Sequence, residues 1–443
     1  MTQHLFLKLR FKPTPEQSVV LNKHFGCRRF VYNYYLSEKL NFYETRVKGV
    51  EDKNVRKEIW KEFKETPLTE LKMMYPRLYD VINQCERNSY RDLQTAFDRF
   101  YNGVYDLPKF KRKKGKNSFK DCQPRKNFID INNRLINLPK IFGKISYLNK
   151  DLPKWYFKYK DKEIKSYTCS KTPSGQYYIS ILFEVKDFKT PVKPKLKDIN
   201  ENQMIGLDFD CDDMYVDSNG CSAKLYGFVK QKQKNLKKLS HLQRQFERCK
   251  KGSNNREKRR RKLTKFEEHI KNMRLDWIEK ETLRLVKLYK LIGIEDLNIK
   301  GMMKGSKNAK NYEDISWTTF ISKLLRKGEL YGCHVIKVDR FYPSSQTCSN
   351  CGFVNKEVSE KHLENWTCPN CKTIHNRDLN AAKNILNECK EVLRNIEESQ
   401  KVLREEEESV EKSVKHSSKD QHSVMQGCNT PATIHETSCS KEQ

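Results

Sequence analysis

Apolar and polar side chains alternate through His4, Leu5, Phe6, Leu7, Lys8, Leu9 and Arg10, a period of two that predicts a strand with one buried face. At Lys12 the pattern changes. Thr14-Pro15-Glu16-Gln17 reads as a capping box with proline in the first helical turn. Val20, Leu21, Phe25, Phe30, Val31 and Tyr34 then recur at helical spacing, and Ile82, Cys85, Leu93, Phe97 and Phe100 keep that spacing as far as Tyr101. Residues 13–105 are therefore expected to form a helical block. A basic loop follows from Lys109 to Lys116, and short strands are expected at 128–131, 135–138, 144–148, 165–170 and 177–185. Asn132-Asn133 and Pro173-Ser174-Gly175 supply turns between them. Short strands at this spacing suggest a small β-barrel, left through a Lys/Pro linker from Lys189 to Lys197.

The second half alternates strands and helices. Met204 to Asp208 is an apolar strand, and Asn219-Gly220 is a two-residue turn signal. Residues 231–290 read as long basic helix interrupted near Gly252-Ser253-Asn254-Asn255; Leu263, Phe266, Ile270, Met273 and Trp277 form an apolar stripe suited to core packing. A strand at 291–295, a helix at 317–331, a strand at 334–339 and a helix from Asp378 to about Asn395 complete a β-β-α-β-α-β series. From about Ser399 the chain is rich in Glu, Ser and Lys with few large apolar residues, and disorder is expected.

Charge narrows the function. The 443 residues carry a net charge of +31, and the segment after Lys390 is itself acidic, which leaves about +35 on the part before it. Self-repulsion on this scale does nothing for a fold, but a nucleic-acid polyanion would neutralise it. No run approaches the apolar length of a membrane span, and the 15 cysteines are mostly scattered singly, as in a reduced intracellular protein. No membrane partner is expected.

Four cysteines are not scattered. Cys348-Ser349-Asn350-Cys351 and Cys368-Pro369-Asn370-Cys371 are separated by sixteen residues, the arrangement of two knuckles offering four thiolates to one structural Zn²⁺. His375 lies nearby but finds no vacant ligand position, so it is set aside as a bystander. Three carboxylates form a second candidate. Asp208 ends Ile205-Gly206-Leu207-Asp208, Glu295 ends Ile292-Gly293-Ile294-Glu295, and Asp378 opens the last helix. Acids at strand ends need a cation or a basic partner when buried. Three that converge would suit a pair of Mg²⁺ ions and in-line phosphodiester hydrolysis. An EF-hand beginning at Asp208, Asp210 and Asp212 is excluded, because Asp213 and Asn219 stand where that loop needs Gly and Glu.

These residues resemble a known family. Met204-Ile205-Gly206-Leu207-Asp208 is similar to the first RuvC motif of TnpB (OrfB) proteins, and Ile294-Glu295-Asp296-Leu297-Asn298-Ile299-Lys300-Gly301-Met302 to the second. Arg340-Phe341-Tyr342-Pro343-Ser344-Ser345-Gln346-Thr347-Cys348 and Trp366-Thr367-Cys368-Pro369 resemble the zinc ribbon of that family. Arg377-Asp378-Leu379-Asn380-Ala381-Ala382-Lys383-Asn384 resembles its third motif, and Phe25-Gly26-Cys27-Arg28-Arg29-Phe30-Val31-Tyr32-Asn33 its helical lobe. The likeness spans about residues 3–390. It departs at Asp210, where the family usually has Gly, and at Asn376, where it often has Asp.

The resemblance implies an α+β multidomain protein. Residues 1–12 and 106–198 would form a wedge β-barrel and 13–105 a helical recognition lobe. Residues 199–345 and 374–390 would form an RNase H-like (RuvC) α/β nuclease domain, with a four-cysteine zinc ribbon at 346–373 inserted in it and a mostly disordered tail at 391–443. It also implies a transposon-encoded RNA-guided endonuclease that binds a guide RNA, cuts double-stranded target DNA at one Asp208–Glu295–Asp378 site loaded with two Mg²⁺, and works in the cytoplasm of a prokaryotic cell, close to the nucleoid. Two alternatives have other signatures. A nuclease-silent RNA-guided repressor typically loses acids of the triad, all of which are present here, and a compact type V CRISPR effector usually differs in the N-terminal half.

Overall fold

The computed structural model describes residues 2–423 except 114, 116, 126, 150, 151, 160, 187, 211, 212, 224–228, 299–315 and 362. The C-terminal part of the second motif, from Ile299, and Asp212 of the excluded calcium loop lie outside the described residues. The chain divides into two units, Met1–Thr190 with Phe228–Leu275, and Pro191–Gly227 with Asp276–Gln443.

In the first unit β1 (Gln3–Phe11) buries Leu5, Leu7, Leu9 and Phe11 on one face, as its alternation predicts. Then come α1 (Pro15–Phe42), which runs into a π-helical turn at Tyr43–Val47, α2 (Lys53–Lys61), α3 (Leu68–Met74) and α4 (Asn83–Tyr101). The capping box at the start of α1 forms: the Gln17 N–H donates to Thr14 Oγ1 at 3.2 Å, and the Thr14 N–H to Gln17 Oε1 at 3.0 Å. The strands that follow are β2 (Asn117–Asp121), β3 (Ile129–Asp130), β4 (Leu135–Ile136) and β5 (Ile145–Ser146). After the short α5 (Lys154–Lys158) come β6 (Lys162–Lys171) and β7 (Tyr177–Val185).

Their pairing gives an antiparallel sheet in the order β1-β7-β6-β2 and a separate small sheet β3-β4-β5, joined through an isolated bridge between Phe11 and Tyr147. β1 pairs with β7 from Gln3↔Val185 to Phe11↔Tyr177. The helices are not a body apart from these sheets. Leu21, Phe25 and Cys85 enter the same core as Leu9, Phe119, Phe128 and Ile179. At this junction His24 is fully buried and stacks on Phe119 at 4.8 Å. Its Nδ1–H donates to the Val20 carbonyl, its Nε2 accepts from the Ile82 N–H, and burial pushes its pKa down, so the ring is neutral. A second cluster holds the helices together around Val31, Leu36, Leu71 and Leu93.

Helices α6 (Val229–Glu247) and α7 (Asn254–Leu288) follow, separated at Gly252 as the sequence indicates. The stripe on α7 is partly covered: Leu263 is buried, while Phe266, Ile270, Met273 and Trp277 are half-buried. Residues 228–275 belong to the first unit, although sequence reading assigns them to the 199–345 domain. The Ser174–Glu268 hydrogen bond links α7 to the β6–β7 turn, and Lys238 lies 4.6 Å over the Phe266 ring.

The second unit is built on a sheet of β8 (Met204–Phe209), β9 (Tyr215–Asp217), β10 (Leu291–Glu295) and β11 (His334–Val338), in the order β11-β10-β8-β9. β10 runs parallel to β8 and β11, and β9 is antiparallel to β8. Asn219-Gly220 closes the return of β9 onto Ser222, with Gly220 at φ +83°. Both faces of the sheet are covered, which explains the near-continuous apolar runs of its strands. Ile205, Leu207, Ile292 and Ile294 pack on the end of α7 and on α8 (Trp317–Tyr331). Met204 and Leu291 pack with Ile385, Cys389 and Leu393 on the opposite side. These last three belong to the final helix, which is preceded by the short α9 (Glu357–Glu360) and the hairpin β12 (Asn365–Thr367) and β13 (Ile374–Asn376).

That final helix, α10 (Arg377–Ser423), stands where disorder is expected over 399–423, and residues 424–443 of the tail lie outside the described residues. Its distal part is rich in Glu, Lys and Arg, all good helix formers, with i,i+4 pairs such as Lys401–Glu405. Low apolar content instead keeps it from joining a core: Ile396, Val402 and Leu403 are 42%, 52% and 57% exposed. Among the described residues no helix is long and apolar enough to cross a membrane.

Candidate metal centres

Parallel pairing brings two of the three acids together. Leu207 of β8 pairs with Ile294 of β10, so Asp208 and Glu295 are the next residues of adjacent strands at their carboxyl ends. The third acid depends on how α10 lies on the sheet, and two glycines set that approach. A Cβ on Gly206 would sit 2.1 Å from the Ala382 carbonyl oxygen and 2.8 Å from the Leu386 nitrogen. One on Gly293 would meet Cys389 Cβ and the Ile385 carbonyl, each at 3.0 Å. The helix therefore rests directly on the strand backbones. Its first turn carries Asp378, where the helix dipole favours an anion. Asn376 caps that turn by accepting from the Leu379 N–H at 3.1 Å. The departure from Asp at this position thus leaves a competent cap.

The electrostatics reflect this convergence. Burial, then the nearby Glu295 and Asp378 carboxylates, push the Asp208 carboxyl well above the usual range. Arg377 opposes that rise and Asp210 adds to it. Glu295 is also pushed up by burial, against a hydrogen bond in which Ser344 Oγ donates to its Oε1 at 2.6 Å. Arg377 Nε donates to Asp378 Oδ1 at 3.2 Å. Asp208 thus has two other carboxylates near it, a set of hard oxygen donors of the type that divalent cations prefer.

The four cysteines also come together. Their sulfurs lie within 4.8 Å of one another, with Cys348–Cys371 and Cys351–Cys368 both at 3.6 Å. Metal–sulfur bonds of about 2.3 Å in a tetrahedron imply sulfur–sulfur distances of roughly 3.8 Å, so this cluster can bind zinc. Both knuckles fold alike. The Cys348 N–H donates to the Phe353 carbonyl and the Gly352 N–H to that of Cys348; the Cys368 N–H donates to the Thr373 carbonyl and the Lys372 N–H to that of Cys368. No described cysteine is in a disulfide.

His375 is not the bystander expected from sequence. Its Nε2 lies 3.0 Å from Cys348 Sγ and its ring packs on Trp366 at 4.7 Å. Four thiols already complete a tetrahedron, so the imidazole is placed to donate a hydrogen bond to a thiolate rather than to ligate. Pairing of β12 with β13 sets it there, opposite Trp366. Sequence reasoning gave Ser344 no role, whereas the Ile-Gly-apolar-acid ends of β8 and β10 were both visible in it.

Several family models and known proteins are similar to this chain. Residues 186–306 match the OrfB family model of IS605 elements, described as "Probable transposase". Residues 317–385 match a "Cas12f1-like, TNB domain", and residues 1–48 a "Helix-turn-helix domain", which in this chain is one strand, one long helix and a π-helical turn. A protein of Streptomyces pristinaespiralis named "Putative RNA-guided DNA endonuclease" is 30% identical over 86% of this chain and 88% of its own length. InsQ of Escherichia coli (strain K12), with the same name, is 29% identical over 86% of this chain and 90% of its own. Among solved structures, a Cas12f1–sgRNA–target DNA complex has a protein chain that aligns with a TM-score of 0.47 and 15% identity, over 87% of this chain and 99% of that one.

Proposed function

The chain belongs to the TnpB (OrfB) family, and on that premise we propose that it is an RNA-guided DNA endonuclease of an IS605-type transposon whose chemistry lies at Asp208, Glu295 and Asp378. Its partners are a guide RNA and the target DNA duplex. The order β11-β10-β8-β9, with two acids at the ends of parallel neighbours and a third on a helix crossing them, supports an RNase H-like (RuvC) reading of the second unit. The observation that carries the site is the register: Asp208 and Glu295 follow paired residues of neighbouring parallel strands, and the helix that carries Asp378 lies directly against Gly206 and Gly293 of those strands.

In this reading Asp208, Glu295 and Asp378 would hold two Mg²⁺ ions, whose chemistry there would be activation of a water and stabilisation of the leaving oxygen of the phosphodiester. Residues of the chain do the rest. Ser344 fixes one Glu295 oxygen, leaving the other for a ligand, and Arg377 steadies Asp378. Cys348, Cys351, Cys368 and Cys371 hold a structural zinc in a ribbon. The sheets of the first unit serve as the wedge barrel and α1–α4 as the recognition lobe. A basic excess spread along the chain suits phosphate contacts to a guide and heteroduplex, with sequence left to base pairing. The protein then works on the nucleoid, in the cytoplasm of a prokaryotic cell.

The test is to purify the protein with its RNA, strip the RNA, and assay matched and unmatched duplexes with and without guide. Cleavage should require RNA and a matching target, and the stripped protein should bind DNA weakly, with affinity falling steeply as salt rises. Sequence-specific cutting without RNA would replace this reading with a nuclease that recognises DNA directly.

A further inference from the structure

Two asparagines of α10 are almost wholly buried, Asn380 at 1% exposed and Asn384 at 3%. Asparagine is a mediocre helix former, and its amide is costly to bury without partners. Both amides are engaged by one segment. Asn384 Nδ2 donates to the Ser344 carbonyl at 2.8 Å and to the Thr347 carbonyl at 2.5 Å. Asn380 Nδ2 donates to the Thr347 carbonyl at 2.7 Å, and its Oδ1 accepts from the Ser349 N–H at 2.9 Å. Spaced four apart on one helix face, the two side chains staple residues 344–349 along α10. That segment begins with the serine bonded to Glu295 and contains the first cysteine, Cys348. It is closed upon itself as well, because the Thr347 N–H and hydroxyl both donate to the Pro343 carbonyl.

We propose that Ser344 and Asn384 are positioning residues for Glu295: Asn384 fixes the backbone of Ser344, and Ser344 fixes the carboxylate for the divalent ion. The inference rests on the metal-site reading of the acids given above. A half-buried glutamate with free torsions samples several rotamers, and a hydrogen bond to one oxygen selects among them before any ion arrives. Partners of this kind typically change metal affinity by on the order of ten- to a hundredfold. The same staple places the Cys348 knuckle and Glu295 on one support, so the acid site inherits its alignment from the ribbon's attachment to α10. Asp378 and Asn384 lie on that one helix, which fixes the third acid relative to the first two.

The experiment measures Mn²⁺ binding to the full-length RNA-free protein by calorimetry, with Glu295→Ala as the blank, alongside the Mg²⁺ dependence of single-turnover cleavage by the RNA complex. Ser344→Ala should weaken Mn²⁺ binding about tenfold and raise half-saturating Mg²⁺ by a similar factor. Cleavage should be largely restored at high Mg²⁺, and Ser344→Thr should recover most of the loss. Asn384→Ala should produce a similar shift, and the double variant should be no worse than the worse single one, because both act on the same carboxylate. Zinc content and melting temperature report whether each variant is folded. If Asn384→Ala unfolds, Ser344→Ala alone carries the test. Wild-type metal binding in folded Ser344→Ala would overturn the inference, and multiplied losses in the double variant would overturn the relay through Asn384. Equal Mn²⁺ binding by wild type and Glu295→Ala would instead sink the metal-site reading itself.

Discussion

The two candidate centres are assembled in opposite ways. The thiols come from two short loops between Cys348 and Cys371, and each loop folds by hydrogen bonds among its own residues. The carboxylates come from Asp208, Glu295 and Asp378, and nothing local brings them together. Two parallel strands must pair in register, and a helix must then lie against two glycines. The thiol cluster is therefore a property of a short segment, whereas the acid cluster is a property of the whole second unit. One should fail locally, and the other should fail whenever the sheet or its helix is disturbed.

The largest effect is expected at the acids. Asp208→Ala, Glu295→Ala and Asp378→Ala should each reduce cleavage by about three orders of magnitude, as losing several kcal/mol of charge stabilisation implies. Guide-dependent target binding, followed by filter binding or gel shift, should stay near wild type. Robust cutting by any one of them would place the chemistry elsewhere.

Next is Cys368→Ser, which should abolish stoichiometric zinc and open the hairpin β12–β13, while the far-UV spectrum of the rest persists. Metal analysis of the wild type giving far less than one equivalent would remove the zinc assignment. Cooperative unfolding of the whole second unit in this variant would erase the contrast between a local and a global centre.

Gly206→Ala tests the global side directly. A Cβ 2.1 Å from a backbone oxygen cannot be accommodated without moving α10, and overpacking of this kind costs about 3 kcal/mol or more. Gly293→Ala, with contacts of 3.0 Å, should cost about 1 kcal/mol. Urea unfolding should rank the two, and Gly206→Ala should lose cleavage while retaining zinc. Equal and negligible costs would show that helix contact does not build the acid site.

These contrasts also explain what the chain reveals before it folds. The cysteine spacing, the alternation in β1 and the capping box at Thr14 are short-range signals, and each appears in the structure where expected. The three acids could be nominated from strand ends and from family likeness, but their convergence depends on register and helix docking. Ser344 left no signal of its own, because its importance comes from meeting a residue 49 positions away. Ligand count alone sets His375 aside, because that rule overlooks hydrogen bonding to a thiolate. Residues 228–275 group with the first unit, a partner choice that helical periodicity does not report, because it marks a buried stripe and not which unit covers it.

The smallest effect is expected at the far end of α10. Truncation after residue 398 removes the exposed side chains of 399–406 and a following segment with few large apolar residues, so melting temperature and cleavage should change little, within about 0.5 kcal/mol. A large drop would mean that the distal helix has a partner.

The pairing of β1 with β7 has a consequence for how the protein is made. Gln3 finds its neighbour only when Val185 has left the ribosome. At translation rates of about 5–20 residues per second, the first strand waits roughly ten to forty seconds without its sheet. During that time Leu5, Leu7, Leu9 and Phe11 form an unpaired apolar edge, the kind that chaperones bind and that aggregates when they are scarce. Codon choice between Gln3 and Val185 should therefore govern the yield of intact protein more strongly than the same changes made further downstream.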